Sequence, residues 1–162
     1  MTSSEAEGRR PATGLRVLFA SNTTLDLPLN PGLAAKWDAL SREFELRVIA
    51  RRGRVSADDP RFHLVPPIAS GLQGIALYGS LPLLAARELS RLRPHVVVAQ
   101  SAFEAFAMLP VLSRRRSPPI ITELHGDWRT AARFYGSRAR RTYAPLADRA
   151  AEFALRRSDA TR

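Results

Sequence analysis

RPHVVVAQSAFEAFA, Arg93 to Ala107, reads as a strand, a turn and the start of a helix in succession. Arg93-Pro94 closes whatever precedes it, because proline cannot continue a helix and biases the residue before it toward extended backbone. Val96 to Ala99 is a run of apolar, mostly β-branched residues with no polar alternation, the pattern of a strand covered on both faces. Ser101-Ala102-Phe103-Glu104 has the spacing of a capping box. It opens a helix that carries Phe106, Leu109 and Leu112, with Pro110 weakening its middle.

The same alternation continues in both directions. Upstream, Leu15 to Ala20 (LRVLFA) reads as a buried first strand followed by the polar stretch Ser21-Asn22-Thr23-Thr24. Asn30-Pro31 supplies a cap and a first-turn proline for a helix with Leu33, Trp37, Leu40 and Phe44 on one face. Leu46 to Ala50 is a second strand, Phe62 to Val65 a weaker third, and Leu72 to Leu92 a helix that Gly79 and Pro82 should split or kink. Downstream, Ile120 to Leu124 is a strand. Pro145 to Arg157 is a helix with Leu146, Ala150, Phe153 and Ala154 along its inner stripe, and Arg157 to Arg162 resembles a turn into one more strand, so a truncated chain is expected. Strands alternating with helices predict an α/β fold, a doubly wound parallel sheet. Ligands of such sheets lie at the carboxyl ends of the strands, here the loops after Ala20, Ala50, Gln100 and Leu124.

A chain of 162 residues with 45% hydrophobic and 25% charged residues fits one folded domain, with Met1 to Gly14 as a polar tail. The absence of cysteine excludes a disulfide framework, thiolate zinc sites and a cysteine nucleophile. The longest uncharged stretch is interrupted by prolines and glycines, so no membrane span is expected, and a cytoplasmic location is. Formal charge +10 invites a nucleic-acid reading. All basic residues but Lys36 are arginine, however, and their clusters fall at expected helix and strand ends. A solvated face, or attraction to anionic lipid and phosphorylated substrates, explains them better than dedicated nucleic-acid binding.

The first strand lacks a glycine-rich turn and the second ends in Arg51-Arg52 rather than an acid, which argues against a dinucleotide cofactor. There is no phosphate-binding loop, and His63, His95 and His125 do not pair at metal spacing, so neither metal nor cofactor is expected. The loop Ser21 to Gly32 leads into a helix N-terminus that could bind an anion through free amides or could simply be a capped surface loop. Ser101 likewise is a cap that could also touch a substrate. In TELHGDWR, Thr122 to Arg129, His125 and Asp127 fall at the carboxyl end of a central strand and Gly126 allows close backbone approach to a ligand. Glu123 shares the face of His125. The competing view is a polar strand end with Trp128 packed as a lid.

RVLFASNTTLDLPLNPG, RPHVVVAQSAFEAFA, PIITELHGDW and ADRAAEFALRRSDA together resemble the N-terminal domain of family 4 glycosyltransferases, enzymes of the GT-B fold, over almost the whole ordered chain. The resemblance implies two Rossmann-like domains facing across a cleft. The first binds the acceptor; the second, not represented in these residues, binds a nucleoside diphosphate sugar through paired glutamates. It implies metal-independent, retaining transfer of a hexosyl group to an acceptor hydroxyl of a cell-envelope glycan or a lipid-linked acceptor, beside the cytoplasmic membrane face. His125 takes the position near the transferred sugar, Asp127 and Trp128 line the acceptor side, and the first loop, with Ser21, Asn22 and Gly32, lies near the donor phosphates. Glu123, Gly126 and Ser101 complete the candidate contacts. The 162 residues alone are expected to be inactive, as a truncation or as half of a pair with a separately encoded domain. The alternative is a non-enzymatic basic α/β domain that binds nucleic acid or an anionic membrane.

Overall fold

The computed structural model describes residues 13–55, 57–67, 73–112, 117–125 and 138–162. Six strands, β1 (Leu15–Leu25), β2 (Phe44–Arg52), β3 (Phe62–Val65), β4 (Val96–Ala99), β5 (Ile120–Thr122) and β6 (Ala160–Thr161), form one sheet in the order β3-β2-β1-β4-β5-β6. Every adjacent pair is parallel. The helices are α1 (Pro31–Glu43), α2 (Gln73–Leu92), α3 (Ala102–Leu112) and α4 (Arg138–Arg157). This is the doubly wound α/β arrangement expected. Its strand order reverses at β1, so the switch point lies between the carboxyl ends of β1 and β4.

Alternate side chains feed two cores on opposite faces of the sheet. On one face Leu18, Ala20, Ile49, Val97, Ala99 and Ile120 pack with Leu77, Leu81 and Ala85 of α2, Ala105 and Met108 of α3, and Ala154 of α4. On the other, Val48, Ala50, Phe62 and Leu64 surround Trp37 of α1. The Trp37 ring meets Phe19 and Phe62 edge-on at 5.3 and 5.7 Å, the preferred aromatic geometry. Arg61 fastens α1 to the entry of β3, donating to both oxygens of Asp59 and, at 2.6 Å, to Asp38. Burial alone would raise the Asp59 pKa, but the Arg61 hydrogen bonds and charge outweigh it and hold that carboxyl below its usual range.

Several expectations are corrected. β1 does not end at Ala20 but runs to Leu25, because β2 also continues past Ala50 to Arg52 and offers it a partner. Phe44 belongs to β2 rather than α1: as the residue closing α1 it is extended, at φ −130° and ψ 145°. Pro82 does not divide α2, which is continuous. Pro145 lies inside α4 rather than at its start, since the helix-favouring arginines and alanines upstream begin it at Arg138. Leu146 and Phe153 are 67% and 46% exposed, and the buried stripe is Ala144, Ala151 and Ala154. Alanines there let α4 approach α3 closely. The expected tail ends sooner than Gly14, as the Thr13 amide already donates to the Glu43 carbonyl at 3.3 Å.

The end of β1 is irregular in a way that matters for the site. Ala20 stands opposite Ile49, yet Thr24 stands opposite Arg51, so four steps of β1 run against two of β2. The excess pushes Ser21 to Thr23 out of the ladder as a bulge. The Arg51 Nε donates to the Asn22 carbonyl oxygen at 2.8 Å and holds the bulge from beneath. Beyond it the Gly53 amide donates to the Leu25 carbonyl at 2.8 Å, and the Val55 amide to Asp26 Oδ1 at 3.0 Å. A Cβ on Gly53 would collide with Asp26 Oδ1 and stand 3.0 Å from the Leu25 carbonyl oxygen. Gly53→Ala is therefore expected to cost about 1–3 kcal/mol through overpacking, read as a lower urea midpoint at unchanged slope. A midpoint equal to the parent's would mean that the two loops do not approach this closely.

Candidate functional site

Three strand ends converge at the switch point. From β1 come Ser21, Asn22 and Thr23; from the turn after β4, Gln100 and Ser101; from the extension of β5, His125. With Tyr78 of α2 and Phe103 and Glu104 of α3 they line a cavity of about 370 Å³, within the size range of small-molecule sites. The bulge places the β1 residues. Ser21 Oγ accepts from the Thr23 amide at 3.0 Å and donates to Thr23 Oγ1 at 2.8 Å, which fixes the turn of the displaced chain.

His125 is held from the other side of the sheet. The Glu123 amide donates to the Ala99 carbonyl at 2.8 Å, the Leu124 amide to the Arg162 carbonyl at 2.7 Å and the Arg162 amide to the Thr122 carbonyl at 3.0 Å. The parallel ladder thus continues to the residue before His125. Asp159 clamps the start of the same pair, its Oδ2 accepting from the Ile120 amide at 2.8 Å. The His125 side chain is 73% exposed and its Nε2 lies 3.8 Å from Glu123 Oε2. It stands at the rim of the cavity and also at the end of a second groove of about 790 Å³, which runs along the α1 face over Val17, Phe19, Val96, Val98 and Ile121 and takes in Glu123.

Ser101 caps α3 as expected, its Oγ accepting from the Phe103 amide at 3.2 Å. Glu104 departs from the simple capping role. It is 1% exposed, and its carboxylate accepts hydrogen bonds from the Ser101 hydroxyl and, at 3.3 Å, from the Tyr78 hydroxyl. Burial first, then the neighbouring Glu104 carboxylate, raise the Tyr78 pKa well above its usual value, so its proton stays in place. Asn22 Oδ1 is buried and, among the described residues, has no hydrogen-bond partner.

Of the sequence candidates, Ser21, Asn22, Ser101 and His125 come together here, and Glu123 reaches His125 from the adjoining groove. Gly32 does not join them. It sits in the first turn of α1, whose N-terminus is closed by Asn30 Oδ1 accepting from the Leu33 amide at 3.0 Å. Gly126, Asp127 and Trp128 lie outside the described residues. Sequence reasoning missed Tyr78 and the burial of Glu104. A tyrosine inside the apolar run of α2 was the available signal, since a buried phenol needs a polar partner. Among the described residues no cluster of three metal-ligating side chains is present and no helix is long and apolar enough to cross a membrane.

Residues 33–161 match the family model described as Glycosyltransferase Family 4. The chain belongs to glycosyltransferase family 4. Comparison with curated proteins returned no match. The match covers all of the site's strand ends except β1, and the Rossmann-like sheet is the architecture expected of a GT-B half. The cavity opens at the switch point, where α/β sheets receive their ligands.

The raised Tyr78 pKa has a direct consequence. An ordinary tyrosine ionises near pH 10, so alkali favours the unfolded chain: stability is intact below about pH 10 and falls as pH rises above it. Phenolate absorbance of the parent and of Tyr78→Phe should coincide through that range and diverge only when the protein unfolds. Ionisation of Tyr78 alongside the exposed Tyr143 would show that the Glu104 contact is not formed.

Proposed function

We propose that this domain is the acceptor side of a sugar transferase, and the observation that carries the reading is the convergence of Ser21, Asn22, Ser101 and His125 on one cavity at the switch point. The reaction moves a hexosyl group from a nucleoside diphosphate sugar to an acceptor hydroxyl. The bond from the anomeric carbon to the leaving phosphate breaks, a bond to the acceptor oxygen forms, the hydroxyl proton passes to an oxygen of the departing diphosphate, and the nucleoside diphosphate leaves. His125, exposed at the rim, reaches the space where the two substrates meet and can donate a hydrogen bond to the transferred sugar or accept one from the acceptor. Asp127 and Trp128 are assigned to the acceptor side on the family pattern.

Stabilising the leaving diphosphate supplies much of the rate in such reactions. On this reading a second α/β domain binds the donor, no metal or cofactor takes part, and the acceptor belongs to a cell-envelope glycan or glycolipid on the cytoplasmic side. The α4 surface suits work beside a membrane. Tyr143, Leu146 and Phe153 are exposed there among Arg149, Arg156 and Arg157, with the Arg157 guanidinium 4.9 Å from the centre of the Phe153 ring. An aromatic and basic face of this kind favours anionic lipid over nucleic acid.

Two measurements test these assignments. The 162-residue protein should leave nucleotide sugars untransferred, whereas the same residues joined to a donor-binding domain should transfer them, with His125→Ala lowering kcat/KM roughly a hundredfold. Transfer by the 162 residues alone, or full activity of the variant, would overturn the division of labour. For the lipid contact, sedimentation with vesicles containing anionic phospholipid should retain the protein at low salt and lose it when Arg149, Arg156 and Arg157 are changed to glutamine. Equal retention of the variant would remove α4 from the interface.

A further inference from the structure

Two hydroxyls of the cavity, those of Ser101 and Tyr78, have a hydrogen-bond polarity that follows from one side chain. Glu104 is buried at α3's third position, and an ionised carboxylate can only accept. Its two described partners, Ser101 and Tyr78, therefore commit their single hydroxyl hydrogens inward. What they have left to offer is lone pairs. Asn22 adds a further acceptor, since its Oδ1 is buried beside the cavity and, among the described residues, has no hydrogen-bond partner. A buried acceptor without a donor is costly, so an unmet one beside a cavity marks where a ligand supplies the missing hydrogen.

We propose that Glu104 acts as a positioning residue that sets the Ser101, Tyr78 and Asn22 end of this cavity to accept hydrogen bonds, so that this end takes a neutral, hydroxyl-rich ring and excludes phosphate. Ser101 Oγ and Asn22 Oδ1 receive two hydroxyl hydrogens of the ring, and the buried carboxylate behind them repels an anion. The N-terminus of α3 does not reverse this, because Ser101 already occupies the Phe103 amide and Glu104 places its negative charge in the first turn. Arg51 does not line the cavity, its Nε donates to the Asn22 carbonyl oxygen, and its charge at Tyr78 is outweighed there by that of Glu104. The inference rests on the acceptor-side reading and narrows it: the pocket holds the acceptor ring and not the donor phosphates that the first loop was expected to meet.

The test is a titration of the 162-residue protein followed by amide chemical shifts, with the methyl α-glycosides of glucose, galactose and mannose on one side and inorganic phosphate on the other. At least one glycoside should shift the Asn22 side-chain amide and the backbone amides around Ser21 and Ser101, while phosphate leaves them unmoved. Glu104→Gln supplies donors of its own and frees the two hydroxyls to point outward, so it should weaken the glycoside about tenfold and bring in phosphate binding. A purely structural role for Glu104 would not produce that gain. Should this variant fail to fold, Asn22→Ala serves instead, weakening the glycoside several-fold without admitting phosphate. Phosphate shifting these amides in the parent, or silence from all three glycosides, would overturn the proposal. Neither readout involves transfer, so glycoside binding without transfer by the protein joined to a donor-binding domain would sink the enzymatic reading alone, and transfer with a silent cavity would sink only this one.

Discussion

The two-residue slip between β1 and β2 is the constraint on which the site depends. In a regular parallel ladder Ser21, Asn22 and Thr23 would remain in register, pointing alternately to the two faces of the sheet. With four steps set against two, the strand sheds them toward the carboxyl edge and rejoins the ladder at Thr24. The rejoined end needs its own anchorage, and the guanidinium of Arg51, the close approach of Gly53 and the Asp26 carboxylate provide it. A shorter β2 would leave that end without a partner. The strand that organises the sheet thus also shapes the mouth of its crevice.

The second organising tension is a charge inside an apolar layer. Glu104 sits among Ala102, Ala105 and Met108, all fully buried, and carboxylates are seldom placed so deep without partners. Two hydroxyls meet it, one from its own helix and one from α2, which couples the packing of α2 on α3 to the state of the cavity. The coupling explains why a tyrosine occupies an otherwise apolar position of α2. It also means that repacking α2 would disturb hydrogen-bond directions across the cavity without touching a residue at its rim.

Most of the fold was legible because buried strands and amphipathic helices announce themselves by period. The strand order was not legible: Ile120 to Leu124 read as a central strand because it is apolar and ends in a polar stretch, whereas β5 stands fifth of the six strands and β1 and β4 flank the switch point. Boundaries were less legible wherever two local rules competed. Pro145 carries a helix-start signal, yet Arg138 to Ala144 had enough helix propensity to begin earlier. Ser21-Asn22-Thr23-Thr24 reads as a loop on composition, and only the length of a partner strand turns it into a bulge. In the site, Ser101 and His125 were visible because capping and strand-end rules are local. Tyr78 and Glu104 belong to different helices 26 residues apart, and a pairing of that kind is a property of packing rather than of spacing. Leu146 and Phe153 went astray for the complementary reason: apolar character was equated with burial, while the close contact of α4 with α3 is made by alanines.

The arrangement has a bearing on why a transferase would divide its substrates between two domains. A glycosyl transfer needs donors aimed at a leaving diphosphate and acceptors aimed at an incoming hydroxyl, and one small cavity cannot be strongly both. On the proposed polarity, the described cavity is committed to the second task by a carboxylate that cannot be turned toward donation without being protonated or replaced. Donors for the diphosphate must then come from its rim or from groups outside it. His125, exposed at the rim and able either to donate or to accept, is the one described cavity residue with an ionisable side chain free of that commitment, which fits it for the boundary between the two halves of the reaction.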